Sequence, residues 1–481
     1  MEQENAPLYE AVSKYIKRKM IPFHMPGHSQ GKGAPKILKR LFGDKFFDFD
    51  LTEVSGLDYL HYAQGVIRES EELASKLYGT KATIFLVNGT TAGVHAMILD
   101  SIKENDKIII GRNSHRSVIG GILLAKAKPV FVQPEFNDEF GIITNLTPET
   151  IEKVIKKNPD AKAILITTPN YYGLQGKVKE MIDISHRYGL KVLIDEAHGA
   201  HFPFNDKFPK SAIYLGADLV TQSAHKTLPT LTQTSFLHVV SDNNNVDRIE
   251  QILSIIESSS PSYIFMTALD VARREMALHG REMWDKAIEV AEYAREKIKK
   301  LDGFKVITED IINGNDIYAF DPIKLTINVE DLGYSGFEFE RYLNRNGIEI
   351  ELADLKNVLL FITIGTSKSD VDALVSVLKK APPKNKRMIK MPEFPEAAPL
   401  AMLPFEAFQQ EFEIVPLTES KGRVSWGIVA PYPPGVPVLV PGMIVDSDCV
   451  EFINEVFKRG GLVQGSIRHG SDIAVRVLKG V

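Results

Sequence analysis

The 481-residue chain has a single cysteine, Cys449, so it contains no internal disulfide framework. No apolar run approaches the about 18 residues that a membrane span needs. The first twenty residues, MEQENAPLYEAVSKYIKRKM, are too polar for a secretion signal, and together these absences predict a soluble cytoplasmic protein. Basic charge is also in short supply. The 57 Lys and Arg residues face 62 Asp and Glu, leaving a net charge of −5, and no Lys/Arg block interleaved with aromatics offers a nucleic-acid footprint. Neither a membrane nor a nucleic acid is therefore expected as partner, and no metal is expected.

One motif argues otherwise. LIDEAHGAHF, residues 193–202, contains the four letters of a helicase DEAH box, in which the aspartate serves a magnesium nucleotide. That reading needs a phosphate loop, G-x-x-x-x-G-K-[ST], between a strand and a helix. GHSQGKG comes nearest and fails: Gly27 and Gly31 stand one residue too close, and Gly33 occupies the place of the metal-binding hydroxyl. Asp195 must serve something else.

What the chain does have is an alternation of strands and helices from about residue 80 to 240. TIFLV, DKIII, KPVFV, AKAILIT, KVLID, ADLVT and TSFLHVV are short β-branched runs separated by helical patterns such as VKEMIDISHRYG. This predicts an α/β domain around a mainly parallel sheet. The length suits two or three domains: an N-terminal segment (1–50), a large domain (51–265), a small α/β domain (266–380), a Pro/Lys-rich linker (381–398) and a C-terminal module (399–481). The small domain opens on a long helical pattern with an expected break near Gly280.

In such sheets ligands sit beyond the carboxyl ends of the strands. Three successive strand ends carry unusual polar residues: TPNYYG after AKAILIT, EAHGAHF after KVLID, and QSAHK after ADLVT. Upstream, TIFLVNGTTAGVHAMI reads as a strand, a Gly/Thr turn and a helix, whose first amides with the hydroxyls of Thr90 and Thr91 would form an anion cup. Asp195 at one strand end and Lys226 after the next supply what a pyridoxal 5'-phosphate enzyme needs. The amine forms an imine with the cofactor aldehyde, and the carboxylate keeps the pyridine nitrogen protonated. Plainer readings exist for each residue: a solvated loop lysine, an aspartate capping a turn, histidines (His198, His201) bonded within their turn, threonines serving as an N-cap.

FHMPGH (23–28), GLDYLH (56–61), NGTTAG (88–93), RNSHRSV (112–118), TTPNYYG (167–173), DEAHGAH (195–201), QSAHK (222–226) and PYPPGVP (431–437) occur in an order and spacing that span nearly the whole chain. Together they resemble the Orn/Lys/Arg decarboxylase family of fold-type I pyridoxal phosphate enzymes, in its short bacterial form. The resemblance implies that Lys226 is the Schiff-base lysine, with Ser223 and His225 near the cofactor phosphate. Asp195 pairs with the ring nitrogen, Ala197 and His198 lie against the ring or substrate, Gly89, Thr90 and Thr91 bind phosphate, and His115 stacks on the pyridine face. It further implies a homodimer or larger homo-oligomer, with SSSPSYIFM (258–266) reaching a neighbouring subunit, and decarboxylation of a basic amino acid, arginine slightly before lysine or ornithine. Glu53, Asp58, Glu349, Glu351 and Asp354 are the acidic residues open to its distal cation. The chain departs from the family pattern at Gly427, where a glutamate often stands. Because the cofactor site alone does not choose which bond breaks, an aminotransferase, an aldolase-type lyase or a noncatalytic regulator of the same fold stay open at this point.

Overall fold

The structure, a computed structural model, describes residues 2–384, 394–432, 435–470 and 472–480. Residues 385–393 of the expected linker, and Pro433 and Pro434 of PYPPGVP, lie outside the described residues. A seven-stranded sheet is built from β1 (Ala82–Leu86), β2 (Lys107–Gly111), β3 (Lys128–Val132), β4 (Ala161–Thr167), β5 (Lys191–Asp195), β6 (Leu219–Gln222) and β7 (Ser235–Val239). Its strand order is β1-β7-β6-β5-β4-β2-β3. The seven β-branched runs of the sequence are these seven strands, and the sheet is mainly parallel. β2 pairs in parallel with β3 and β4, whereas β7 runs antiparallel to both β1 and β6.

The chain forms two compact units, one of residues 1–100, 194–206 and 210–282, the other of residues 101–193, 207–209 and 283–481. In the first, helix α1 (Pro7–Lys17) starts with proline at its first turn, where the missing N–H costs nothing. Ala6 before it has no side-chain oxygen to cap the free amides. Asp270 supplies one from far along the chain, accepting from Leu8 N at 3.0 Å and Tyr9 N at 3.4 Å. Asp270 is in turn paired with Arg273 at 2.8 Å, both fully buried, and Arg273 donates to the carbonyls of Gln3 and Asn5. The N-terminal residues are thus tied down by a buried ion pair whose partners are both hydrogen-bonded, the arrangement in which burial of charge is tolerated.

Helix α2 (Val66–Tyr78) buries Ile67, Leu73, Ala74 and Tyr78 and ends at Gly79, whose φ of 67° is the left-handed conformation that glycine takes without penalty. Its amino end is capped by Asp58 of GLDYLH, which accepts from Gly65 N at 2.7 Å and Ile67 N at 3.1 Å. Helix α3 (Gly89–Ser101) follows β1, and α4 (Val246–Ile256) precedes α5 (Tyr263–Ile298). The 36 residues of α5 run without the break expected near Gly280. A Cβ at that position would lie 3.3 Å from the Cβ of Phe204, so the glycine gives room for an aromatic neighbour rather than ending the helix.

In the second unit, strands at Lys305–Val306, Lys324–Asn328, Asn357–Phe361 and Leu352–Ala353 form a small antiparallel sheet in that order. The helices Gly336–Arg345 and Lys368–Lys379 each start on a capping box, Ser335 with Glu338 and Ser367 with Asp370. Nearer the carboxyl end, Phe412–Pro416, Asp472–Leu478 and Ile467–His469 make a three-stranded sheet, and the helix Ser447–Lys458 is capped by Asp446. No helix among the described residues is long and apolar enough to cross a membrane.

Candidate active site

β5 delivers Asp195 at its last residue, and the side chain is buried, 3 % exposed. Its Oδ1 accepts from Ala197 N at 3.2 Å, which is the tight turn that the sequence places after the strand. Burial pushes the Asp195 carboxyl up from the usual carboxylate range, while the cationic Lys226 and the Ala197 amide hold it down. Lys226 itself sits in the short helix Ala224–Thr227 after β6. Its Nζ lies 2.9 Å from Nε2 of His198, a residue that is 6 % exposed. Two neighbouring strand ends thus bring an amine, an imidazole and a buried carboxylate together, and none of the three side chains is a solvated loop residue.

Beside this group the Gly/Thr turn takes the expected form. Gly89 has a φ of 70°, open to glycine and costly for residues with a Cβ, and lets the chain pass from β1 into α3. Thr90 Oγ1 lies 2.5 Å from Ser223 Oγ and 2.8 Å from Ser235 Oγ, and Ser235 Oγ donates to the carbonyl of Gln222. A buried cluster of three hydroxyls therefore adjoins the first amides of a 13-residue helix. Thr91 is exposed at that helix start. His225 points its Nδ1 at the carbonyl of Thr234, 2.9 Å away, and burial together with the Lys226 charge lowers its pKa, which favours the neutral ring.

The family model for the Orn/Lys/Arg decarboxylase major domain matches residues 6–370, and that for the C-terminal domain of the same enzymes matches residues 386–459. The chain belongs to the Orn/Lys/Arg decarboxylase family. It is 34% identical over 474 residues to the arginine decarboxylase of Bacillus subtilis, covering 97% of this chain and 96% of that one. With the arginine decarboxylase of Halalkalibacterium halodurans it shares 36% identity over 469 residues, 96% of each chain. The Francisella novicida lysine decarboxylase structure superposes with a TM-score of 0.86 at 21% identity, covering 98% of this chain and 81% of that one. At that identity the likeness speaks for the fold, which is the fold-type I architecture.

The other residues expected at a site of this family fall as follows. His115 belongs to the second unit and is the N-cap of the helix Arg116–Ala125, its Nδ1 accepting from Ser117 N at 3.2 Å. Gly435 of the described part of PYPPGVP lies against this loop: an added Cβ there would stand 3.8 Å from the His115 ring. Arg112, which the sequence does not flag, fastens the two, donating to the carbonyls of Pro437 at 2.9 Å and Val438 at 3.2 Å between the rings of Phe131 and Phe394. Beside Gly427 the space is open, with nothing within 4 Å of an added Cβ.

Glu196, the second letter of DEAH, also escapes sequence reading. It is fully buried and accepts from Ser211 Oγ at 2.6 Å, Ala212 N at 2.8 Å and Gln222 Nε2 at 2.6 Å. Burial pushes its carboxyl up to about 7. It ties the turn after Asp195 to the end of β6, the strand that precedes Lys226. Of the acidic residues open to a substrate cation, Asp58 is taken up by the α2 amides. Asp354 accepts from Tyr172 Oη at 2.6 Å and from the amides of Lys356 and Asn357 at 2.7 Å each. Glu351, exposed, accepts from Tyr171 Oη at 2.7 Å, and Glu53 and Glu349 are exposed. Among the described residues no group of three or more His, Cys, Asp or Glu could hold a metal ion.

Proposed function

We propose that the chain is a pyridoxal 5'-phosphate-dependent carboxy-lyase that converts a basic amino acid, arginine before lysine or ornithine, to its amine and carbon dioxide. The observation that carries the reading is the grouping of Lys226, His198 and Asp195 beside the Thr90–Ser223–Ser235 hydroxyls. This donor set fits the cofactor: an amine for its aldehyde, a buried carboxylate for a protonated ring nitrogen, and hydroxyls at a helix start for its phosphate. When bound, the cofactor supplies a sink for the electron pair left as the carboxylate departs.

The residues of the chain do the rest. Asp195 keeps a proton on the ring nitrogen, a charge-assisted bond that burial strengthens. Lys226 Nζ, with His198 Nε2 beside it, moves the proton that replaces carbon dioxide at the α-carbon. The hydroxyl cluster and the first α3 amides after Gly89 would hold the phosphate end and so fix the orientation of what is bound beside Lys226.

Arginine is favoured because four relatives that match this chain over nearly their full length are named arginine decarboxylase. Carbon dioxide release from arginine, lysine and ornithine, assayed in parallel with a neutral amino acid, is expected to be fastest with arginine. A neutral amino acid outpacing all three would overturn the substrate class. The same reading includes a homodimer. The first unit exposes Phe23, Met25, Ile37 and Leu41, apolar surface of the kind a second copy covers. Sedimentation of the loaded enzyme should give a dimer or a larger assembly, and a fully active monomer would contradict it.

A further inference from the structure

Glu257 lies just beyond α4 and is buried, 7 % exposed, with no part in the chemistry described above. Its Oε1 accepts from Val87 N at 3.1 Å and from Asn88 N at 3.0 Å, the two amides that precede Gly89. β1 is the terminal strand of its sheet, and such a strand needs acceptors from outside the ladder. Side chains provide them at alternate residues: Ser75 Oγ for Thr83 N at 2.7 Å, Glu71 Oε1 for Phe85 N at 2.9 Å, and Glu257 for Val87 N. Glu257 is the last of this row and the one that also grips the next amide, so it fixes where the strand stops and the turn begins.

The far side of the same turn is held by Gln233. Its carbonyl accepts from Gly89 N at 2.9 Å, and its Nε2 donates to the carbonyl of Val87 at 2.8 Å. Gln233 does this from a φ of 84°, a conformation that a residue with a Cβ adopts only when its surroundings impose it. Residues 87–89 are therefore clamped between a buried carboxyl and a strained glutamine, at the point that sets the direction of the first α3 amides. An anion site made of amides and hydroxyls depends on that direction, because its donors must converge before the anion arrives.

We infer that Glu257 is a positioning residue for the phosphate end of the cofactor site, holding the turn into α3 in its anion-binding form through the Val87 and Asn88 amides. The inference rests on the cofactor reading given above. Burial pushes the Glu257 carboxyl up to about 7 while the two amides hold it down, so what the turn needs near neutral pH is an accepting oxygen more than a charge. Glutamine keeps that oxygen, and alanine does not.

The test is an absorbance titration of apo-enzyme with pyridoxal 5'-phosphate and, separately, with pyridoxal, which has the same aldehyde and ring and no phosphate. Glu257→Ala is expected to weaken pyridoxal phosphate by about tenfold or more, the loss of two buried acceptor bonds. It should leave pyridoxal within about twofold of wild type, and Glu257→Gln should bind both much as wild type does. Should the alanine variant not fold, Glu257→Asp, a methylene short of the two amides, takes its place with the same expectation. Equal weakening of both aldehydes, unchanged binding of pyridoxal phosphate, or a glutamine variant as weak as alanine would overturn the inference alone. Wild-type enzyme that takes up neither aldehyde would overturn the cofactor reading and this inference with it.

Discussion

Lys226→Ala is expected to lose turnover by a factor of about 10⁴ or more and to emerge from desalting without the visible absorbance of lysine-bound cofactor. In the proposed mechanism two separate functions meet at Nζ. The amine is the group that can join the cofactor aldehyde, and it lies 2.9 Å from His198, where a proton can pass between them. Alanine removes both, and the imidazole that stays behind can take up only part of the proton transfer. The surrounding fold has little reason to fail, because the short helix Ala224–Thr227 is held by the Lys226 N to Ser223 carbonyl bond and the Leu228 N to Ala224 carbonyl bond, which involve backbone alone. Borohydride treatment of the loaded wild type should fix the cofactor mass to the peptide containing Lys226. Label on a different lysine, or a Lys226→Ala enzyme that stays coloured and active, would remove this residue from its role.

The strand-end motifs make the positions of much of the candidate site legible in the sequence. Asp195, Lys226, Gly89, Thr90 and Ser223 all stand at the carboxyl end of a strand or at the start of the helix that follows, and such positions can be read from hydrophobic runs that stop at polar residues. Ser235 is a different case. It joins the same hydroxyl cluster but opens β7, where TSFLHVV reads as nothing more than a strand. Glu196 is hidden by its neighbour: adjacent residues at a strand end point to opposite sides, and the Glu196 carboxylate goes to Ser211 and Gln222, 15 and 26 residues away. Asp270, Glu257 and Arg112 take partners 262, 170 and 325 residues away, pairings that no local pattern encodes. Gly280 shows the opposite error. Glycine lowers helix propensity by about 1 kcal/mol, which favours a break on local grounds, yet the close approach of Phe204 makes the small residue useful inside a continuous helix.

Asp195→Asn is expected to keep the cofactor and lose the reaction. Asparagine has nearly the shape of aspartate and can still accept from Ala197 N, so the turn after β5 should survive, and Lys226 is untouched. What disappears is the negative charge. In the wild type, burial raises the Asp195 carboxyl above the usual carboxylate range, with Lys226 and the Ala197 amide opposing it, in a site where charge is poorly screened. A protonated ring nitrogen beside it would favour the carboxylate. A neutral amide gives no such return, and the ring nitrogen loses its proton together with most of its capacity to draw electrons from the breaking bond. By analogy with other aspartates that fix the protonation state of a catalytic ring, turnover should fall about 10³- to 10⁴-fold, roughly 4 to 5.5 kcal/mol in the barrier. Affinity for pyridoxal phosphate should change far less, since the lysine link and the phosphate cup both persist. The two readouts separate electronics from binding: a variant with near wild-type turnover would take Asp195 out of the mechanism, and one that fails to hold cofactor at all would make its role structural.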